Sequence, residues 1–162
     1  MKKLWLMPAV IGALLFSACK KKDCCSFPAT PDFILAQKNS VQWEASPSGN
    51  ILGDTISVSG KTRINGEDEE LTFKIVFDGI GYYALKANQN YYQIFKAGTA
   101  VALYKPDPTH VGSVTVISYN QTDKILQGFF DLRFLKISDK PSENHPDKIL
   151  LREGKFKVSL TH

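Results

Sequence analysis

Leu71-Thr72-Phe73-Lys74-Ile75-Val76-Phe77 decides the fold. Leu71, Phe73, Ile75 and Phe77 are apolar at every second position, and a period of two puts them on one face of a strand. The alternation recurs at Ile56 and Val58, Val101 and Leu103, Val114 and Val116, Phe130, Leu132 and Phe134, and Phe156, Val158 and Leu160. No segment carries the 3.6-residue period of an amphipathic helix.

Turn residues fall between these runs. Asn65-Gly66, Asp78-Gly79-Ile80-Gly81, Asn88-Gln89-Asn90 and Asn120 to Asp123 supply side chains that tolerate the positive φ of tight hairpins. The spacing predicts about ten strands, at 33 to 38, 41 to 46, 54 to 62, 70 to 77, 82 to 87, 91 to 96, 99 to 104, 112 to 119, 124 to 136 and 148 to 160. So many short strands must close on themselves or stack as two sheets. The expectation is an all-β antiparallel meander forming a β-sandwich or flattened β-barrel, one domain over residues 33–162. About 135 residues suffice for such a core, since a chain of this size buries roughly two-thirds of its unfolded surface.

Ahead of the strands the chain reads differently. Lys2 and Lys3 precede an apolar stretch from Leu4 to Phe16, and Leu15-Phe16-Ser17-Ala18-Cys19 closes it. That resembles a bacterial lipoprotein signal peptide over residues 1–18. A run of about 13 apolar residues is too short for a spanning helix, which needs about 20. The resemblance implies cleavage before Cys19 and diacylation of its thiol, a partnership with membrane lipid that two or three acyl chains make effectively permanent. Residues 19–32, with Pro28 and Pro31, read as an acylated cysteine and flexible tether. Lys20 stands where an inner-membrane retention aspartate would be, so the expected address is the cell envelope, the outer membrane ahead of the inner one.

The charge supports no nucleic-acid partner. The chain has 20 lysines and arginines against 16 aspartates and glutamates, but Lys2, Lys3, Lys20, Lys21, Lys22 and Asp23 all precede Ser26, which leaves 15 of each sign in the folded part. Phosphate binding needs cations clustered on one face. All three cysteines, Cys19, Cys24 and Cys25, also lie in the leader and tether. Adjacent Cys24 and Cys25 would form a strained bridge, and the domain must hold together by its core.

The order Phe33, Ala36, Asn39-Ser40, Trp43, then Gly81-x-Tyr83-x-Leu85, Gly112-x-Val114-x-Val116, Gly128-x-Phe130-x-Leu132-x-Phe134 and Gly154-x-Phe156-x-Val158 resembles an uncharacterised family of small Bacteroidota lipoproteins. The resemblance implies an all-β lipoprotein and no assigned activity. Ser40 departs from the glycine usual after the asparagine.

Catalytic raw material is thin. A hydrolase would need His110 or His145 beside a hydroxyl and a carboxylate in one cleft. Glu143-Asn144-His145-Pro146-Asp147 reads instead as a solvated hairpin loop. Asn65 with Glu67 to Glu70 offers oxygens of the kind calcium prefers, but without the spacing of a calcium loop, and reads as a charged turn. Neither cofactor nor metal is expected. The doublets Tyr82-Tyr83, Tyr91-Tyr92 and Phe129-Phe130 carry more information, because neighbours on a strand point to opposite faces. With Tyr83 and Phe130 turned inward, Tyr82 and Phe129 face out, together with one of Tyr91 and Tyr92. Exposed rings near Asp131 and Arg133 suit a glycan or an envelope protein. A non-catalytic binding module is therefore the leading expectation. A lipocalin-like carrier, with an apolar cavity lined by Phe73, Phe77, Tyr83, Phe130 and Phe134, is the alternative.

Overall fold

The computed structural model describes residues 30–86, 88–139 and 144–161. The signal peptide, Cys19, Cys24, Cys25, Glu143 and His162 lie outside the described residues. The domain packs from Pro31 onward, and Asp32, expected as the end of the tether, accepts a hydrogen bond from the Ser159 amide at 2.7 Å.

Ten strands follow: β1 (Phe33–Lys38), β2 (Val41–Leu52), β3 (Thr55–Ile64), β4 (Glu67–Val76), β5 (Gly81–Ala84), β6 (Asn90–Lys96), β7 (Thr99–Pro106), β8 (Ser113–Asn120), β9 (Ile125–Asp139) and β10 (Lys148–Thr161). No described residue is helical. The expected strands are all present, and the largest difference is β2, which runs on through Ser46-Pro47-Ser48-Gly49-Asn50 to Leu52.

The pairings return on themselves. β1 bonds β2 and β10, β10 bonds β9, and the path β2-β3-β4-β6-β7-β9 completes the ring. This is the expected all-β fold, its ten strands joined in one sheet whose pairings form a ring, as a β-sandwich or flattened barrel requires. It is not the simple meander the turn spacing suggested. β5 leaves the sequential order to pair with β8, and β10 runs parallel to β2 at Leu160↔Gly49 and Thr161↔Asn50.

Two seams remain open because long strands change partners along their length. β9 bonds β8 through its first half and β7 through its second. β2 bonds β1 over Val41 to Ala45 and β3 only from Ser46 onward. Among the described residues, therefore, no ladder joins the start of β2 to the end of β3, nor β5 to β4.

The core is aromatic. Trp43, Phe73, Tyr92, Tyr104, Phe134 and Phe156 are all fully buried, and burial of a large apolar side chain stabilises by about 1.5–3 kcal/mol. Phe73 meets Phe130 at 5.8 Å and Phe156 at 5.5 Å between ring centroids, within the range where aromatic pairs attract beyond their area.

Candidate functional site

The outward aromatic pair is where the doublets place it. Tyr82 is 67% exposed and Phe129 44%. Register connects them, with Tyr82 opposite Thr115, Thr115 opposite Phe129, and Phe129 opposite Lys155. One row thus crosses β5, β8, β9 and β10 on the outer wall, with the two rings two strand spacings, about 10 Å, apart. It continues through Leu35 of β1, which faces Lys155 of β10 on one side and Glu44 of β2 on the other.

The other expected members divide. Tyr92 does not belong to the surface: it is fully buried, and of its doublet Tyr91 is the partly exposed member. The period of two sends Tyr92 inward with Ile94. Tyr91 pairs with Thr72 of β4, on a different stretch of wall from Phe129. Asp131 and Arg133 share the outward face of β9 with Phe129 but are half-buried where β7 and β8 part. Asp131 Oδ1 and Arg133 Nε are buried there without a hydrogen-bond partner among the described residues, so these groups sit beside the aromatic row as sunken polar atoms rather than a charged rim.

The interior holds a polar site that the sequence reading missed. Glu69 on β4 is only 6% exposed. It accepts hydrogen bonds from Trp43 Nε1 at 2.8 Å and from the Tyr92 hydroxyl at 2.5 Å. Lys38 pairs with its other oxygen and lies 5.9 Å from the centre of the Tyr92 ring. A carboxylate this deep is tolerable only when paired and hydrogen-bonded, and three donors meet that condition. Burial, and next the Glu69 charge, hold the Tyr92 hydroxyl well above the ordinary tyrosine value of 10.0. The signal was present in the sequence: Glu69 is in phase with Leu71, Phe73 and Ile75.

This corrects the reading of residues 65 to 70 as a solvated charged turn. The carboxylates are dealt to both faces of β4, with Glu69 inward and Asp68 and Glu70 outward, facing Arg63 at 3.6 Å and Lys61 at 3.5 Å. Among the described residues no group of three or more histidines, cysteines and carboxylates could hold a metal ion.

Glu69 also borders a groove of about 890 Å³ at the seam between β2 and β3. Its lining includes Glu44, Ala45, Ser46, Thr62 and Arg63, together with Asp32, Phe33 and Phe95. Trp43 backs it from inside, its indole seated over Gly60, where an added Cβ would lie 3.4 Å from the ring and 3.0 Å from Ile34.

His145 sits on the expected loop, where Asn144, Pro146 and Asp147 are exposed, but it is turned inward. Its side chain is largely buried, with Nε2 3.2 Å from Glu67 Oε2, and its carbonyl accepts from Lys136 Nζ at 2.8 Å. His110 lies in the turn where its amide bonds the Asp107 carbonyl at 3.0 Å. The five residues suggested as a cavity lining do not share one space. Phe73 packs on Phe130 and Phe134 on Tyr92, whereas Phe77 stacks on Tyr83, whose hydroxyl donates to Asp78 at 2.8 Å. Comparisons of the chain with protein-family models, with curated proteins and with solved structures return no match.

Proposed function

We propose that this chain is a lipid-anchored envelope protein whose β domain is a non-catalytic binding module for an envelope protein or a glycan. Cys19 is the acylated residue, and the outer membrane is the favoured address. The observation that carries the reading is the row Tyr82, Thr115, Phe129 and Lys155. Two exposed rings, two strand spacings apart with β8 between them, lie outside the core cluster, and a rigid wall holds them at fixed spacing. Such rings stack on sugar faces or pack under a partner. The close ring contacts among Phe73, Phe130 and Phe156 favour a binding wall over an apolar carrier.

Crosslinking in cells making the acylated protein, followed by mass spectrometry, tests this. The expected result is capture of one envelope component that is lost in Tyr82→Ala and Phe129→Ala and in unanchored Cys19→Ala. Capture unaffected by either aromatic substitution would move the contact elsewhere on the domain. If no protein is captured, glycan arrays with the same variants distinguish a sugar ligand from no ligand on this face.

A further inference from the structure

Two strand edges face each other unpaired across the upper seam of the barrel. Residues 41–45 of β2 bond β1 on one side only, and residues 62–64 of β3 bond β4 on one side only. Among the described residues no strand bonds their other edges. Unpaired strand edges are templates for another chain, and proteins ordinarily blunt them. Here the opposed edges are instead separated by an open groove of about 890 Å³, within the range of ligand sites.

We infer that this slot takes an extended, lysine- or arginine-bearing segment of a partner protein by strand addition. Main-chain hydrogen bonds would supply affinity, and the flanking side chains selectivity. Because β2 and β3 run antiparallel, the added strand pairs antiparallel with one edge and parallel with the other. The longer edge, five residues, accommodates a stretch of about 16 Å.

Charge identifies the occupant. The groove is lined by five carboxylates, Asp32, Glu44, Asp68, Glu69 and Glu70, against two cations, Lys61 and Arg63. Both cations already face Asp68 and Glu70 and Lys38 pairs with Glu69, so the surplus is negative and rests on Asp32 and Glu44. An acidic segment would be repelled, and so would the same acidic edge of a second copy. Phe33 and Phe95 also line the groove, and aromatic side chains suit the aliphatic stems or charged heads of lysine and arginine. Tyr82 and Phe129 do not line the slot, although their row reaches it at Glu44, so Tyr82→Ala and Phe129→Ala should leave peptide binding unchanged and separate the two readings.

The test uses the full chain in detergent and three labelled heptapeptides. One alternates lysine with valine, one alternates glutamate with valine, and one is the basic peptide N-methylated at alternate backbone amides. Anisotropy should show saturable binding of the basic peptide alone, weakened tenfold or more by N-methylation and at least fivefold by Glu44→Lys. Glu44 is exposed, so that variant should keep its circular dichroism spectrum. Amide exchange should slow on binding at residues 41–45 and 62–64. Absence of binding, equal binding of the acidic peptide, indifference to N-methylation, or protection confined to other strands would each overturn the proposal. A self-dimer protecting the same amides without peptide would overturn it too.

Discussion

Phe130 on β9 occupies the place that a side chain on Gly154 of β10 would need. A Cβ built on Gly154 would lie 2.4 Å from the Phe130 ring, and one on Gly128 would lie 2.8 Å from Phe156 and 2.2 Å from the Thr115 carbonyl oxygen. Gly154 is opposite Phe130 and Gly128 opposite Phe156 in the ladder, so each strand lends the other a glycine under its aromatic ring. Rings covering cross-strand glycines recover packing that a glycine otherwise forfeits.

Gly154→Ala and Gly128→Ala should therefore each destabilise by about 1–3 kcal/mol, the usual cost of overpacking. Gly128 should be the worse because backbone as well as ring must move. Gly81→Ala, where nothing lies within 4 Å and φ is not positive, should be neutral or slightly stabilising. Urea unfolding of the three variants checks the order.

Removing the charge of Glu69 tests the buried network. Glu69→Gln keeps an acceptor for Trp43 and Tyr92 but leaves Lys38 without its counter-charge. Breaking a buried ion pair from one side costs about 3–5 kcal/mol, and the partial exposure of Lys38 places this case at or below the lower end. Adding Lys38→Met should recover much of the loss. A double-mutant cycle in urea measures the coupling, and simple additivity would show that Lys38 and Glu69 act independently.

Tyr92 gives stability a dependence on alkaline pH. Its folded-state pKa lies above the unfolded value, so the native state holds the phenolic proton more tightly. Its contribution is fully present below about pH 10 and is lost as the pH rises through the folded value. The urea midpoint should fall above pH 10, more steeply in the parent than in Tyr92→Phe. The variant should also lose about 1.5–3 kcal/mol at neutral pH with the charge-assisted bond to Glu69. Parallel alkaline slopes would show that Tyr92 does not govern the fall.

Most of the strand inventory was legible because apolar alternation is local. The continuation of β2 was not, since Ser46 to Asn50 holds no apolar residue and includes Pro47, which withholds a ladder donor. Nor was the departure of β5 to β8, because a partner three strands further along the chain leaves no local mark on Tyr82 or Tyr83. The outward placement of Tyr82 and Phe129 followed from strand parity alone. The depth of Glu69 was hidden by its acidic neighbours, although parity applied equally to it. The slot between β2 and β3 depends on where two strands stop pairing, and periodicity carries no information about that.

The first hairpin offers a stabilising substitution. Asn39 and Ser40 both have positive φ, 49° and 69°, between the paired ends Lys38 and Val41, which is the backbone of a two-residue type I′ turn. Asn39 suits its position, and its side chain ties the turn to β10 by accepting from the Leu150 amide at 2.9 Å. Ser40 instead holds a left-handed conformation that costs an L-residue roughly 1–2 kcal/mol and glycine little. Ser40→Gly relieves that strain while enlarging the freedom of the unfolded chain, so the net gain should be about 0.5–1 kcal/mol. Thermal and urea unfolding should both register it. Asn39→Ala should act in the opposite direction, since it removes both the tolerance for positive φ and the bond to Leu150.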